Sequence, residues 1–157
     1  MSDTRADGSG ELGRWVVPTS LALAVGGIAV STYLTIAHYT GPDVLVCSAS
    51  GTVNCEAVTT SPQSMFLGIP VALLGLLYFV GMAVLCLPVA WRSMSRLVHL
   101  ARLVGSIAGV GFVLWLVYAE LFIIQAICLW CTVAHVLAFG LFVIVVWTAP
   151  LLLSRED

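Results

Sequence analysis

Four apolar stretches run through this chain, and each is long enough to cross a lipid bilayer as a helix. They cover about residues 15–38, 66–91, 103–127 and 129–153. The hydrocarbon core of a bilayer is about 30 Å thick and takes roughly 20 apolar residues of α-helix. Because lipid cannot satisfy a bare backbone, and because the sequence lacks the alternation of barrel strands, each stretch is predicted to be helical. We therefore predict an all-α integral membrane protein, built as a four-transmembrane-helix bundle.

Composition supports a membrane protein and excludes a soluble globule. Of the 157 residues, 61% are hydrophobic and 9% are charged, whereas soluble domains carry about 25% charged residues. The net charge of −2 indicates no nucleic-acid partner. The first apolar stretch is longer than the roughly 7–15 residues of a signal-peptide core. We interpret it as an uncleaved anchor rather than a cleaved signal.

The arginines predict how the bundle is oriented. All six residues that are Lys or Arg are Arg, and four spans would place all of them on one side. A bias of this kind marks the cytoplasmic side. We expect a multi-pass protein of the cell membrane (inner or plasma membrane) with both termini cytoplasmic. The expected parts are a cytoplasmic tail at residues 1–13, a membrane domain at residues 14–153 with an extracytoplasmic loop at about residues 39–64, and a second cytoplasmic tail at residues 154–157.

Four of the five cysteines fall on or near the outer side, which is the oxidising face of a membrane. Cys47 and Cys55 lie in the outer loop, and Cys128 and Cys131 form a C-x-x-C pair at the head of the last stretch. Such cysteines can form structural disulfides, bind a metal or exchange thiols with disulfides. Tetrahedral zinc favours two close pairs, and the first pair here is separated by seven residues, so no metal site is predicted. Cys86, near the cytoplasmic end of the second stretch, is interpreted as a small buried hydrophobe.

The C-x-x-C pair favours redox chemistry over a structural role. A bridge between Cys128 and Cys131 would stabilise the fold little, because the loop that it closes is small. The start of a helix favours a thiolate, and Cys131 lies in the apolar zone, where a lipid-soluble acceptor reaches it. Quinones accept two electrons, and a dithiol releases two. The residues favour a relay from a water-facing pair to a lipid-facing pair, with a non-catalytic scaffold braced by structural disulfides as the alternative.

Four pieces of sequence stand in an order typical of one known family. They are CSASGTVNC at residues 47–55, Ser61 six residues after Cys55, GIPVALLG at residues 68–75, and CLWC at residues 128–131. Together they resemble bacterial homologues of vitamin K epoxide reductase (VKOR), which are integral membrane thiol oxidoreductases. The resemblance covers nearly the whole chain. It implies that Cys128 and Cys131 are the active-site pair, and that Cys47 is paired with Cys55 as the shuttle cysteines of the loop.

The resemblance also implies a route for electrons. In this family the dithiol of a partner attacks the loop disulfide, Cys55 then exchanges with Cys128, and Cys131 reduces a quinone bound within the bundle. The quinone is expected to be menaquinone or ubiquinone. The partner is expected to be a secreted, DsbA-like thioredoxin-fold protein on the outer side, separate from this chain because no thioredoxin-like domain is fused before Asp157. The implied activity supports disulfide bond formation.

Two further residues are candidates for binding the quinone. Ser61 matches a polar residue close to the family's quinone pocket, and its alternative role is to cap a helix that begins near Pro62. His135 lies four residues after Cys131, on the same helix face. Its ring either donates a hydrogen bond or proton to a quinone oxygen, or bonds a neighbouring helix.

Two departures from the family's pattern qualify the resemblance. Vertebrate members carry Tyr where this chain has His135, and they have an Asn contacting the quinone that this chain lacks. Both departures favour plain quinone reduction over reduction of vitamin K epoxide.

Glu120, about two turns before Cys128, is either an acid within the membrane or a solvated residue beyond the span.

Overall fold

Long helices account for most of the protein in the computed structural model, which describes residues 4–47, 51–93 and 95–153. The α-helices are α1 (Thr4–Thr40), α2 (Cys55–Thr59), α3 (Val71–Leu85), α4 (Pro88–Trp91), α5 (Arg96–Tyr118) and α6 (Leu129–Leu153). The last turns after α5 widen into a π-helix at Ala119–Ile124, and 3-10 turns occupy Pro42–Val44 and Pro62–Ser64. Two short antiparallel strands, β1 (Met65–Phe66) and β2 (Ile69–Pro70), form a hairpin before α3. The predicted tail at residues 154–157 lies outside the described residues.

Among the described residues, three helical segments are long and apolar enough to cross a membrane. They are Arg14–Thr40, Arg96–Ile124 and Leu129–Pro150, while the apolar α3 is shorter, at 15 residues. These segments confirm the mostly helical, membrane-type fold, whereas the count of four spans stays a prediction.

The prediction of one helix over residues 66–91 is wrong at both ends. At its start the chain turns through Leu67 and Gly68, which have positive φ angles of 52° and 80°, and the helix begins only after Pro70, which has no N–H to donate. Near its other end α3 stops at Leu85, and Pro88 then begins the separate α4. Turn residues that a hydropathy pattern overlooks therefore shorten this helix.

The core of the bundle lies between α1, α3 and α6. Its buried side chains come from these three helices and include Phe79 and Leu141, together with Cys86, which is confirmed as a small buried hydrophobe. Close approach depends on glycine, since a Cβ at Gly27 would collide with the ring of Phe79, and one at Gly109 would collide with the ring of Tyr78.

One end of the bundle carries the arginines whose side chains are described. There the rings of Trp15 in α1 and Trp147 in α6 lie 6.0 Å apart, centroid to centroid. Arg102, only 1% exposed, donates hydrogen bonds from Nε and Nη2 to the carbonyl oxygen of Leu85 at 2.9 and 2.7 Å. Its guanidinium also lies 3.8 Å from the ring centroid of Trp91. Arg102 thus provides hydrogen-bond donors for the last carbonyl oxygen of α3. The cysteines outside the core lie at the opposite end of the helices.

Candidate active site

The loop cysteines are joined to each other and differ in exposure. A disulfide links Cys47 to Cys55, the pairing that the family resemblance implies, while Cys128 and Cys131 are free thiols. Cys55 begins α2 and is 2% exposed, whereas Cys47 is only half-buried. Asn54 caps α2, since its Oδ1 accepts a 3.0 Å hydrogen bond from the backbone N–H of Ala57.

A short parallel bridge holds the loop against the turn that carries the C-x-x-C pair. The backbone N–H of Asn54 donates to the carbonyl oxygen of Ile127 at 3.0 Å, and the N–H of Ile127 donates to that of Thr52 at 2.8 Å. Cys55 and Cys128 each follow directly on a bonded residue. Both belong to one buried apolar cluster, in which Cys128 is fully buried. The bridge therefore places the second loop cysteine beside the first cysteine of the C-x-x-C pair.

The C-x-x-C turn stabilises a thiolate on Cys128. Cys128 directly precedes α6, and its Sγ accepts a hydrogen bond from the backbone N–H of Cys131 at 3.3 Å. A hydrogen bond from the Cys131 thiol is the main cause that lowers the pKa of Cys128 from its usual value, with that backbone N–H adding to it against the cost of burial. The direction agrees with the thiolate expected at this pair, but its main cause is the Cys131 thiol rather than the start of the helix.

Glu120 is buried, which decides between the two interpretations of its position. It lies in the π-helix that follows α5 and is 6% exposed. That π-helix ends at Gln125, whose left-handed backbone (φ 57°) turns the chain towards α6. The N–H of Ala126 donates to the carbonyl oxygen of Glu120 at 3.1 Å, and the main-chain amide of Cys128 faces the Glu120 carboxyl group. The acid is therefore enclosed beside the C-x-x-C pair rather than solvated.

A mainly apolar cavity of about 460 Å³ lies between α1, α3, α5 and α6, and residues of α2 also line it. Cys131 lines this cavity, whereas Cys128 does not. Both further candidates from the sequence, Ser61 and His135, line it as well, and so does Glu120. The structure thus brings one sulfur of the C-x-x-C pair to a cavity of the size that binds small organic molecules, about 300–1,000 Å³.

A sequence model of the vitamin K epoxide reductase family matches residues 18–146. This range includes both cysteine pairs and every residue that lines the cavity. The chain belongs to the vitamin K epoxide reductase family. VKOR family members are oxidoreductases and are linked to quinones in general. Family membership and the apolar helices together indicate a membrane disulfide oxidoreductase.

In this VKOR family member, Ser61 occupies the predicted N-cap position but does not cap with its side chain. The 3-10 turn Pro62–Ser64 follows it, and no hydrogen bond from that turn reaches the Ser61 side chain. Its Oγ instead donates to the carbonyl oxygen of Val58 at 2.7 Å. With that proton engaged, the hydroxyl is free to accept a hydrogen bond from a molecule in the cavity.

The side chain of His135 lies in the cavity wall, one turn along α6 from Cys131. Among the described residues its ring forms no hydrogen bond to a neighbouring helix, which was the alternative interpretation. Its nitrogen atoms are therefore available to a ligand in the VKOR cavity.

Sequence reasoning missed the contacts that fix the loop on this VKOR fold. The bridge at Ile127 has no sequence signal, because any residue pair can form a main-chain bridge. Tyr33 is one aromatic residue within an apolar helix and carries no further signal in the sequence. Trp130 donates from Nε1 to the carbonyl oxygen of Val46 at 3.1 Å. Its place inside the C-x-x-C motif was the signal available.

Proposed function

We propose that this VKOR family member oxidises the dithiol of a thioredoxin-fold partner and passes the electrons to a membrane quinone, in support of disulfide bond formation. The net reaction converts a protein dithiol and a quinone into a protein disulfide and a quinol. The observation that carries the proposal is that the two cysteines of the C-x-x-C pair lie in different surroundings. Cys128 is buried against the loop pair, whereas Cys131 lines the apolar cavity.

Electrons enter at Cys47. Because Cys55 is 2% exposed and Cys47 is half-buried, an incoming thiolate reaches the sulfur of Cys47 first. Its attack forms a bond between the partner and Cys47 and releases Cys55 as a thiolate. The second thiol of the partner then displaces Cys47, so the partner leaves as a disulfide and the loop pair is reduced.

Transfer to the C-x-x-C pair follows from the register of the bridge. The Cys55 thiolate attacks the Cys128 sulfur of a Cys128–Cys131 disulfide, and Cys131 leaves as a thiolate that then takes up a proton. Cys47 then attacks Cys55, which re-forms the loop disulfide and releases Cys128. The lowered pKa of Cys128 makes it a good leaving group in this last step. A closed loop disulfide with free Cys128 and Cys131 is the product of that sequence, and it is the bonding state of this structure.

The cavity suits a lipid-soluble quinone in size and in its mostly apolar wall. The quinone, menaquinone or ubiquinone, would supply the acceptor for two electrons. The chain's own residues would orient it and handle protons. His135 would donate a hydrogen bond to a carbonyl oxygen, and Ser61 would accept one from a quinol hydroxyl. Glu120 would move a proton between the thiols and the acceptor.

We further propose that the cysteine-bearing end faces the extracytoplasmic side and that α3 completes a four-span bundle. Arg14, at the start of the apolar segment of α1, and the arginines near the start of α5 lie at the opposite end, which agrees with the positive-inside tendency. A shorter helix can span by local thinning of the bilayer. Cysteine labelling with an impermeant maleimide in intact cells tests this, with Val46→Cys as the outer probe and Arg92→Cys as the inner probe.

The decisive test is quinone absorbance with purified protein in detergent and a reduced dithiol donor. We expect the wild type and Cys86→Ala to bleach the quinone, because Cys86 lies in the core and does not line the cavity. We expect Cys131→Ser to be inactive although it inserts and folds. Undiminished turnover in Cys131→Ser would contradict the relay. Failure of the wild type with every common quinone would favour a non-catalytic scaffold with structural disulfides.

A further inference from the structure

Two aromatic side chains hold the segment that leads to Cys47, here named the Cys47 arm (residues 44–47). The hydroxyl of Tyr33 in α1 donates to the carbonyl oxygen of Val44 at 2.7 Å and accepts from the backbone N–H of Val46 at 2.9 Å. Trp130 Nε1 donates to the carbonyl oxygen of Val46 at 3.1 Å. The two rings meet edge to face, with centroids 4.8 Å apart. Two side chains thus satisfy three main-chain groups of this arm.

The other side of the loop, the Cys55 arm (residues 51–55), is held in a different way. Its bonds to Ile127 are between main chains, and its cysteine is buried in an apolar cluster. The Cys47 arm is open to its surroundings, since Val46 is 82% exposed. The Cys55 arm is thus bonded to Ile127 by main-chain groups, whereas the backbone of the Cys47 arm is bonded to the side chains of Tyr33 and Trp130.

We propose that Tyr33 and Trp130 are positioning residues that keep Cys47 within reach of Cys55 while the loop pair is reduced. The proposal rests on the proposed function, because the step it serves is the closing of the loop. In that step the Cys47 thiolate attacks the Cys55 sulfur of the Cys55–Cys128 disulfide. The Cys47–Cys55 bond forms, the Cys55–Cys128 bond breaks, and Cys128 takes the electron pair as a thiolate. The loop pair is oxidised and the C-x-x-C pair is reduced.

Holding one reactant beside another raises its effective concentration without any new contact at the reacting atoms. Without the two aromatic side chains, the Cys47 arm would sample many positions once its disulfide opened. Trp130 also lies between Cys128 and Cys131 in sequence, so one residue belongs both to the C-x-x-C turn and to the contact that holds the Cys47 arm. This contact gives a physical reason for an aromatic residue at Trp130 within the motif.

The first test measures the loop disulfide by itself in the full-length protein. In a background with Cys86, Cys128 and Cys131 changed to Ala, the loop pair is equilibrated with reduced and oxidised glutathione in detergent. We expect Tyr33→Phe, which removes the hydroxyl but keeps the ring, to lower the effective concentration of the loop thiols roughly tenfold. Trp130→Phe, which removes one donor, should lower it by about threefold.

The control for Tyr33→Phe is Tyr39→Phe, at an exposed tyrosine later in the same helix. We expect the control to match the unsubstituted background, and all variants to keep its thermal midpoint. An unchanged glutathione equilibrium in both Tyr33→Phe and Trp130→Phe would overturn the proposal. An equal loss in Tyr39→Phe would overturn it too, because the effect would then not arise from the hydrogen bonds to the Cys47 arm.

A second measurement separates this proposal from the proposed function. Pre-reduced full-length protein, with all its cysteines, is mixed with quinone in a single turnover. We expect Tyr33→Phe to match the wild type here, because Cys131 reacts without the loop, whereas steady turnover with a protein dithiol donor falls severalfold. A wild type that never reduces quinone would contradict the proposed function, and the glutathione equilibrium would still decide the role of Tyr33 and Trp130.

Discussion

Asn54 donates its backbone N–H to the carbonyl oxygen of Ile127 at 3.0 Å, and each of these residues is followed directly by a cysteine. Through this bridge Cys55 and Cys128 enter one buried cluster, although the sequence separates them by more than seventy residues. Electron transfer between two pairs of thiols requires that a sulfur of one pair come into contact with a sulfur of the other pair. The bridge meets this requirement with main-chain bonds that side-chain changes do not remove.

The register of the bridge predicts which cysteines cross-link. A variant with Cys47, Cys86 and Cys131 changed to Ala retains only Cys55 and Cys128, and we expect it to form an intramolecular disulfide almost completely with a mild oxidant. The matched variant that retains only Cys47 and Cys128 should cross-link slowly, because its loop cysteine lies in the opposite arm. Mass spectrometry of alkylated protein gives both yields. Equal yields would show that the bridge does not select the pair.

The pH dependence of Cys128 reactivity tests its thiolate. With Cys86 changed to Ala and the loop disulfide closed, Cys128 is the free thiol in both Cys131→Ala and Cys131→Ser. A group whose pKa is lowered in the fold is charged from a lower pH upward, and the thiolate is the reactive form. Since the thiol of Cys131 is the main cause of the lowered pKa, we expect Cys131→Ala to shift the midpoint of alkylation to higher pH. A serine hydroxyl still donates, so Cys131→Ser should shift it less.

The alkylation rate is measured with N-ethylmaleimide across the pH range. A common midpoint in Cys131→Ala and Cys131→Ser would contradict a role for the side chain at position 131, and would leave the backbone N–H as the cause. Both variants keep that N–H, so they differ only in the side-chain donor.

Glu120 is expected to affect the quinone half-reaction. Glu120→Gln keeps the size of the side chain and removes the ionisable carboxyl group from the cavity wall. We expect it to slow single-turnover quinone reduction by pre-reduced protein roughly 100-fold, the lower range for a lost acid or base catalyst. Glu56→Gln, at an exposed acid in α2, is the control and should react at the wild-type rate. An unchanged rate in Glu120→Gln would leave the acid without a role in proton transfer.

Arg102 is expected to stabilise the end of the bundle away from the cysteines. Arg102→Ala removes two charge-assisted hydrogen bonds to Leu85 and the contact with the Trp91 ring. We expect a loss of about 2–3 kcal/mol in the free energy of unfolding, measured as a lower thermal midpoint in detergent. Arg96→Ala, at an exposed position of α5, should leave the midpoint nearly unchanged. Equal midpoints in the two variants would show that the cap on α3 contributes little.

Hydropathy and motif order were sufficient to predict part of the fold and part of the candidate site. The apolar stretches predicted the helical, membrane-type fold, and the last stretch coincides with α6 at residues 129–153. The second stretch was predicted poorly because a hydropathy pattern does not register turns such as those at Leu67 and Pro88. The candidates Cys131, Ser61 and His135 all reach the cavity wall, since helical spacing and the family motif constrain them locally.

The sequence by itself predicted the membrane class of the protein, its family and the cysteines proposed to react, because apolar length, spacing and motif order are local properties of a chain. Only the tertiary structure decided that a main-chain bridge brings Cys55 and Cys128 into one buried cluster, that Glu120 is enclosed beside the cavity, and that Tyr33 and Trp130 bond the Cys47 arm. These features depend on contacts between segments far apart in sequence. Main-chain bridges and buried neighbours leave no pattern in the residues that form them, so they exist only once the helices have packed.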